Sequence, residues 1–283
     1  MSCIEENIMN KDKKIAFIGG GNMAGSLIQG LCQSGYPAKN ITVSDPVTEK
    51  VNALRDKFGI NGASDNARAA RDADVILFAV KPQMMAEVLS GIAAEIPDFK
   101  DKLLISIMAG VTISRISGIL HGAPRIVRVM PNTPALIGMG MSGLFASEGA
   151  LPEDRDFSRD VLASVGKAVF VKTEAGIDEI TALSGSAPAY FFYFMECMAE
   201  KAKAYGYSEE DARIILEQVA KGSAEMVIRN QDKTLAELRA AVTSKGGTTY
   251  EAIKVMQERN LAEIISAALD ACKNRAEEMG KQF

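Results

Sequence analysis

The chain has no tryptophan and a single histidine, His121, among its 283 residues. His121 precedes Gly122 in a predicted loop, so we do not expect it to act as a catalytic acid or base. The cysteines are widely spaced and form no CxxC pair, which indicates neither a zinc site nor a disulfide framework and is typical of a reducing compartment. They are Cys3, Cys32, Cys197 and Cys272.

The chain also lacks an excess of positive charge and a long apolar run. Its formal net charge is -4 and its pI is about 5.3, so neither nucleic acid nor a membrane surface is an expected partner. No apolar run approaches the ~18 residues that a membrane span requires. Residues 1–12 carry Glu5 and Glu6 and no signal-peptide pattern, which predicts a flexible tail on a cytoplasmic protein.

The sequence does contain enough apolar residues, 47% of the total, to form a large core. Its length allows one large domain or two of ordinary size. Strand-like patterns end near residue 172, and helical patterns dominate after it. We therefore predict a first domain over residues 13–172 and a second domain over residues 173–283.

A glycine-rich turn at residues 19–21 follows a short apolar strand and opens an amphipathic helix. In this context a GxGxxA sequence binds the pyrophosphate of a dinucleotide. Gly19 permits a sharp turn, Gly21 lets phosphates approach the backbone, and Ala24 allows close helix packing on the sheet. The alternative is an ordinary tight turn between strand and helix. The predicted cofactor-binding residues here are Gly19, Gly21, Asn22, Met23 and Ala24.

Asp45 ends the second predicted strand, close to the position where an acid binds the adenosine ribose in dinucleotide-binding folds. An acid there repels a 2'-phosphate, which favours NADH. Ser44 could instead hydrogen-bond a phosphate, so NAD and NADP both remain candidate cofactors. The alternative for Asp45 is a turn residue before Pro46.

Further apolar runs are near-continuous, as expected of parallel strands that helices cover on both faces. These strands predict a Rossmann-type doubly wound α/β sheet, which binds ligands at the carboxyl ends of its strands. The runs lie at residues 74–80, 103–108, 125–129, 144–146 and 168–171.

Residues at the carboxyl ends of three of these strands, or in the loops after them, are predicted to contact the cofactor. A solvated lysine is the alternative for Lys81, and a rigid turn without contacts is the alternative for Asn132, which lies between two prolines. The residues are Ala79, Val80, Lys81, Pro82, Ala109, Gly110 and Asn132.

The second half of the chain is predicted to be helical throughout. Ser208 is expected to cap a helix over residues 209–229, and residues 261–279 carry an apolar stripe. The helices have more apolar surface than a few exposed helices can carry, so we expect them to pack against a second subunit. A monomeric bundle is the alternative.

Residues 243–249, with the sequence TSKGGTT, separate a short predicted helix from one that begins near Tyr250. The amide groups of a helix start and its positive dipole end attract an anion, paired glycines let the anion approach, and hydroxyl groups complete a carboxylate cradle. The alternative is a helix start that serine and threonine cap for local reasons.

Read together, these motifs resemble those of the pyrroline-5-carboxylate reductase family. The resemblance covers nearly the whole chain from Lys13. It implies a nucleotide-binding domain followed by an all-α dimerisation domain, with homodimers assembled into larger rings. The motifs lie at residues 18–24, 79–82, 130–134, 183–190 and 243–249.

The resemblance also implies that residues 243–249 of one subunit lie beside the nicotinamide held by its partner. It further implies roles for single residues. Residues 246–248 would hold the substrate carboxylate, and Thr249 would be catalytic through a hydrogen bond to the ring nitrogen. Asn66 matches a cofactor-contacting asparagine. Glu174 matches an acid near the site and is implied to bind the substrate. The loop residues implied to bind substrate are Ser244, Gly246, Gly247, Thr248 and Thr249.

Two residues depart from the family pattern. Ala187 replaces a glycine, and it would be strained if that position needed positive φ. Lys245 replaces a proline before the paired glycines, where it either adds charge near the substrate carboxylate or faces water. Neither change removes a group with an implied chemical role.

The predicted activity is hydride transfer from NAD(P)H to 1-pyrroline-5-carboxylate, which gives L-proline in the last step of its biosynthesis. A cyclic imine can be protonated before reduction, so a threonine hydroxyl suffices and orientation supplies most of the catalysis. One alternative is a different reductase with the same domain arrangement, either another imine reductase or a 3-hydroxyacid dehydrogenase. Lys201 or Lys203 would then be the catalytic lysine of the dehydrogenase. Another is a nucleotide sensor without turnover, which would not need a substrate cradle.

Overall fold

The computed structural model describes residues 9–282, and within them eight strands form one sheet. The strands are β1 (Ile15–Ile18), β2 (Ile41–Ser44), β3 (Asn61–Gly62), β4 (Val75–Phe78), β5 (Leu103–Ser106), β6 (Ile126–Met130), β7 (Gly140–Ala146) and β8 (Gly166–Phe170). They lie in the order β3-β2-β1-β4-β5-β6-β7-β8. Neighbouring strands are parallel except β6 and β7, which are antiparallel. The predicted Rossmann-type sheet is confirmed.

Helices connect these strands and dominate the described chain after β8. The first six are α1 (Asn22–Gln33), α2 (Thr48–Phe58), α3 (Asn66–Arg71), α4 (Met85–Glu95), α5 (Ile113–Ile119) and α6 (Pro152–Ala163). The last six are α7 (Gly176–Ile180), α8 (Ala187–Ala204), α9 (Glu209–Arg229), α10 (Leu235–Ala241), α11 (Thr248–Glu258) and α12 (Leu261–Gly280). This confirms the predicted change from strands to helices after β8.

Alternating residues of the central strands enter two separate cores, because successive side chains of a strand point to opposite faces. Ile15 and Phe17 pack with residues of α1, α2 and α6 on one face. Ala16 and Ile18 pack with residues of α3, α4 and α5 on the other. Both faces of the sheet are thus covered by helices, as the continuous apolar runs predicted.

The structure differs from the sequence interpretation at the short elements. The edge strand β3 was not predicted, because its two residues have no apolar signal. The helix α11 begins at Thr248 rather than near Tyr250. The short helix α3 begins at Asn66. Its N-cap is Asp65, whose side chain accepts a hydrogen bond from the backbone NH of Arg68.

The described chain divides into two compact units. One contains the residues up to Pro188 together with those from Cys272, and the other is Ala189–Ala271. The predicted domain boundary at residues 172 and 173 remains a prediction. Most of the predicted tail, residues 1–8, lies outside the described residues, whereas Lys11 is hydrogen-bonded through its Nζ to the Ser34 carbonyl (2.8 Å).

The second unit, Ala189–Ala271, has almost no core of its own. Among its residues only Ala212 and Leu216 are buried, and the side chains of Phe191, Phe192 and Tyr193 are 66–71% exposed. None of the helices within residues 9–282 is both long and apolar enough to cross a membrane.

Candidate active site

The parallel strands of the sheet end at one common edge. Ile18 of β1 is in register with Ser44 of β2 and Phe78 of β4, and Phe78 is in register with Ser106 of β5. The turns that follow these strands therefore lie side by side. This edge is where open parallel sheets bind their ligands.

The glycine turn at this edge joins three strand ends. Gly19 has φ +102°, and its NH donates to the Ser44 carbonyl at 2.8 Å. A Cβ on Gly19 would lie 2.6 Å from the Ala79 carbonyl oxygen, so neither the backbone angle nor the space allows a side chain. The first glycine is therefore required by the fold itself.

Gly21 has a different role from Gly19. It is the N-cap of α1 with φ -74°, and no side chain among the described residues caps the helix. A Cβ on Gly21 would meet no described atom within 4 Å. The uncapped amide groups thus face open space, and this arrangement fits the pyrophosphate of a dinucleotide.

Asp45 directs both carboxylate oxygens to the backbone of its own unit. Its Oδ2 accepts from the Gly20 NH and its Oδ1 from the Val47 NH, each at 2.9 Å. Ser44 beside it is buried. The contact with Val47 favours the alternative that Asp45 is a turn residue before Pro46. The contact with Gly20 shows that Asp45 also stabilises the glycine turn.

The other predicted cofactor residues lie at the same edge, directly after their strands. Ala79 and Val80 are half-buried and Lys81 is exposed, while Pro82 begins a 3-10 turn that leads into α4. Ala109 and Gly110 follow β5. Asn22 is exposed, and Met23 and Asn66 are half-buried in the first turns of α1 and α3.

Asn132 is buried, and its amide group is occupied within the fold. Its Nδ2 donates to the carbonyl oxygen and the hydroxyl of Ser184 (3.2 and 3.3 Å), and its Oδ1 accepts from the Met141 NH (2.8 Å). Ser184 lies in a π-helical turn, Thr181–Gly185, a feature that is frequent at functional sites. Asn132 thus fixes the loop after β6, which favours the rigid-turn alternative.

Glu174 belongs to a charge cluster around the buried Arg128 that the sequence interpretation missed. Its Oε1 accepts from the Ile113 NH at 2.8 Å and from Arg128 Nη1 at 3.1 Å, and Arg128 Nη2 also contacts Asp178 Oδ1 at 3.4 Å. The pKa of Asp178 is raised, because the effect of burial outweighs the opposing effect of the Arg128 charge. The sequence did contain a signal for this cluster, because Arg128 is a charged residue within an otherwise apolar predicted strand.

The loop 243–249 lies in the second unit, and its predicted substrate residues Ser244, Gly246, Thr248 and Thr249 are exposed. Gly246 has φ +74°, and the Gly247 NH donates to the Ser244 carbonyl at 3.0 Å. A Cβ on Gly247 would lie 2.7 Å from Ser244 Oγ. The positive φ of Gly246 is therefore what this turn requires, whereas a side chain at position 247 would have to displace the Ser244 hydroxyl.

Gly247 is also the N-cap of α11, and it supplies no capping side chain to the helix. The amide groups of the first turn, with the hydroxyls of Thr248 and Thr249, are consequently open to an acceptor from outside the loop. The alternative of a helix start that is capped by serine or threonine does not apply at this position.

The two departures from the family pattern cause no strain. Ala187 is the first residue of α8 and does not have positive φ. Lys245 is exposed. The candidate lysines of a hydroxyacid dehydrogenase contact their own helix or its end, since Lys203 pairs with Glu200 (3.0 Å) and Lys201 lies over the Tyr205 ring (4.9 Å).

His121 has φ 54° and its Nε2 lies 2.9 Å from the Ala93 carbonyl oxygen, so its ring fastens a turn. Within the described residues, no three His, Cys, Asp or Glu side chains come together as metal ligands would. The groups available at the sheet edge and in the loop 243–249 are backbone amides, hydroxyls and the lysines Lys81 and Lys245.

Two family models match different parts of the chain. The model described as pyrroline-5-carboxylate reductase dimerisation matches residues 174–279. The model described as NADP oxidoreductase, coenzyme F420-dependent, matches residues 14–110. The glycine turn thus lies in one matched region and the loop 243–249 in the other.

Curated relatives and solved structures match over nearly the whole chain. A pyrroline-5-carboxylate reductase from Vibrio alginolyticus is 48% identical over 271 residues, which cover 96% of this chain and 99% of that relative. The structure of one from Coxiella burnetii has a TM-score of 0.90 at 39% identity, with 94% and 98% of the two chains covered. A Plasmodium falciparum pyrroline carboxylate reductase with NADP bound has a TM-score of 0.82 at 29% identity, with 95% and 99% covered.

Proposed function

The chain belongs to the pyrroline-5-carboxylate reductase family, and we propose that the glycine turn of one subunit works with the loop 243–249 of its partner. The enzyme reduces 1-pyrroline-5-carboxylate to L-proline with a nicotinamide cofactor. The proposed site rests on one observation. The helices that begin after Gly21 and Gly247 both lack a capping side chain. Each can bind an anionic group, one on the cofactor and one on the substrate.

On the cofactor side, Gly21 and the first turn of α1 would hold the pyrophosphate. Ala79, Val80, Lys81 and Pro82 after β4, and Ala109 and Gly110 after β5, would line the path of the cofactor along the sheet edge. Asn132 supports this edge through its hydrogen bonds to Ser184 and to the Met141 NH. A rigid edge matters because orientation of the two reactants can contribute ~7–11 kcal/mol to catalysis.

On the substrate side, the amide groups of residues 246–248 would bind the carboxylate, with the Ser244 hydroxyl beside them. Thr249 would hydrogen-bond the ring nitrogen. When bound, the reduced nicotinamide supplies a hydride to the imine carbon. The chain then needs to hold the protonated ring nitrogen and exclude water, and Thr249 can do the first without a strong acid.

Glu174 would act on the site through the backbone. Its carboxylate holds the start of α5, at the Ile113 NH, and the buried Arg128 together. The loop that carries Ala109 and Gly110 precedes α5, so this cluster would fix its position. We propose that Glu174 orders the sheet edge and does not touch the substrate.

A homodimer would provide the partner subunit that the proposed site requires. The exposed aromatic residues of the second unit, Phe191, Phe192 and Tyr193, give it an apolar surface of the kind that oligomers bury. We further propose that dimers assemble into a larger ring, as the family resemblance implies.

The activity is tested by mixing the purified protein with 1-pyrroline-5-carboxylate and either NADPH or NADH, and by following the loss of absorbance of the reduced cofactor. We expect turnover with at least one cofactor and L-proline as the product. Consumption of neither cofactor would contradict the proposed function.

The role of Thr249 is tested by Thr249→Ala, which we expect to lower kcat about 10- to 100-fold, the value of a hydrogen bond to a charged group. The Kd for NADPH should not change, because Thr249 contacts the substrate. Thr249→Ser keeps the hydroxyl and should retain most of the rate. If Thr249→Ala turns over like the wild type, Thr249 has no catalytic role.

A further inference from the structure

A groove lies between helix α3 and the starts of the strands β1 and β2, and it has no part in the proposed active site. Its volume is about 270 Å³, just below the ~300–1,000 Å³ that is typical of sites for drug-sized ligands, so it fits a smaller one. We call it the α3 groove. Its polar and charged lining residues include Lys14, Lys39, Thr42, Asn61, Arg68 and Asp72.

The α3 groove is separate from the edge at which the cofactor is expected. Lys14 directly precedes β1 and Lys39 lies two residues before β2, so both belong to the amino ends of these strands. The glycine turn and Asp45 follow the carboxyl ends of the same two strands. Four residues of a strand span about 13 Å, which is too far for one phosphate group to contact both edges.

Three cations line the α3 groove without an ion-pair partner. Within residues 9–282, the side-chain nitrogens of Lys14, Lys39 and Arg68 take part in no hydrogen bond or ion pair. The lining contains these three cations and one acid, Asp72, and therefore has a net charge of +2, although the whole chain has a formal net charge of -4. Unpaired charges of one sign in a concave surface attract a counter-ion.

The acid in the lining does not cancel these cations, because another lysine offsets part of its charge. Burial lowers the pKa of Lys102, and the charges of Asp74 and Asp72 oppose this shift, so Asp72 lies close to Lys102. Lys102 Nζ is held in place by the carbonyl oxygens of Arg71 and Ala73, at 2.9 and 2.7 Å. The potential of the groove is consequently positive.

The backbone on either side of the α3 groove is fixed by side-chain hydrogen bonds. The Lys14 NH donates to Asp74 Oδ2 at 2.7 Å. Asn61 Nδ2 donates to the Lys39 carbonyl oxygen, also at 2.7 Å. The half-buried Thr42 adds a hydroxyl that makes no hydrogen bond within the described part of the chain. A ligand therefore meets groups whose backbone positions are already set, which lowers the entropic cost of binding.

We propose that the α3 groove binds the phosphate group of a small anion, either free phosphate or a small phosphate ester. Lysines bind a phosphate as point charges, and the guanidinium of Arg68 can form two parallel hydrogen bonds to it. A phosphomonoester carries about -1.5 to -2 charges at neutral pH, which matches the net charge of the lining. The site goes beyond the proposed function and does not depend on it.

Calorimetry with the full-length protein tests the proposal, with NADP+ at saturation to occupy the cofactor site and with constant ionic strength. The probes are inorganic phosphate and glycerol 3-phosphate. We expect at least one of them to bind, and the tighter one shows whether the groove takes free phosphate or an ester. Arg68→Met and Lys39→Met should each weaken this binding about tenfold, since one charge-assisted contact contributes roughly that factor.

The control is Lys100→Met, which removes the same charge from the segment before β5, at the same edge of the sheet. Lys100 is exposed and pairs with Asp98 at 3.2 Å, outside the α3 groove. This variant should bind both probes like the wild type. All three variants should keep the wild-type kcat and KM for 1-pyrroline-5-carboxylate, because none of the substituted residues belongs to the proposed active site.

Hydrogen exchange locates the bound phosphate. We expect the tighter probe to slow the exchange of backbone amides in residues 39–42 and 61–73 and to leave the loop 243–249, whose open amides also attract anions, unchanged. Binding of neither probe, an unchanged Kd in both Arg68→Met and Lys39→Met, or protection of the loop 243–249 instead of residues 61–73 would overturn the inference.

Discussion

Two glycines of one turn illustrate how neighbouring residues serve different ends. Gly19 has positive φ and lies against the Ala79 carbonyl oxygen, so its missing side chain is a requirement of folding. Gly21 has an ordinary backbone angle and borders open space, so its missing side chain leaves room for a ligand. The motif therefore contains one glycine that folding requires and one that ligand binding requires.

Because of this difference, we expect substitution by alanine to affect stability at Gly19 and cofactor binding at Gly21. Gly19→Ala should lower the free energy of unfolding by at least ~1–3 kcal/mol, the cost of a strained backbone angle, with the collision added. Gly21→Ala should leave stability unchanged and weaken NADPH binding. Urea denaturation at one protein concentration and calorimetry with NADPH measure the two effects. Equal loss of stability in both variants would contradict the assignment.

At the residue scale, the sequence predicted where the ligand edge lies but not where its polar side chains point. The glycine spacing is local, so it identified the turn at Gly19. The partners of Asn132 and Glu174 come from distant segments, Ser184 for the first and Arg128 for the second. Long-range pairs of this kind have no local pattern, and for this reason both residues were assigned to ligands.

At the element scale, β6 is fastened at its start to α6 by a buried ion pair. Arg125 Nε and Nη2 contact the two oxygens of Asp154 at 2.8 and 2.6 Å, and Asp154 is fully buried. The pKa of Arg125 is raised, chiefly by these hydrogen bonds. Asp154 also accepts from the Leu151 NH at the start of α6. The pair therefore sets the distance between strand and helix.

Asp154→Asn should lower the free energy of unfolding by about 3 kcal/mol or more, because it leaves Arg125 without its buried counter-charge. The matched control is Glu225→Gln, which breaks the exposed pair with Arg229 on α9 and should cost less than ~1 kcal/mol. Urea denaturation of both variants provides the comparison. Similar losses in the two would show that burial does not strengthen the Arg125 pair.

Elements with a strong apolar period or a side-chain cap were predictable. The central strands and α9, capped by Ser208, lie where the sequence placed them. The edge strand β3 was not found because a two-residue bridge needs no apolar side chains. The start of α11 was misplaced by two residues because its N-cap is a glycine, which gives no side-chain signal.

At the scale of the whole molecule, the second unit is incomplete as a single chain. Its large side chains, Phe191, Phe192 and Tyr193 among them, are exposed, whereas its buried residues are Ala212 and Leu216. A helical unit with so little core is stable when another copy covers its apolar faces. The excess of apolar residues predicted this from the sequence, and the match to a dimerisation family supports it.

A shared active site is the central claim of this account, and a hybrid dimer tests it most directly. One subunit carries Thr249→Ala and the other Gly21→Asp, which places a carboxylate where the pyrophosphate would bind. Co-expression with two affinity tags isolates the hybrid, and its turnover of 1-pyrroline-5-carboxylate is compared with that of each parent dimer. If the sites are shared, one site of the hybrid combines an intact glycine turn with an intact loop, so roughly half of the wild-type rate should return. A hybrid no more active than its parents would contradict the claim.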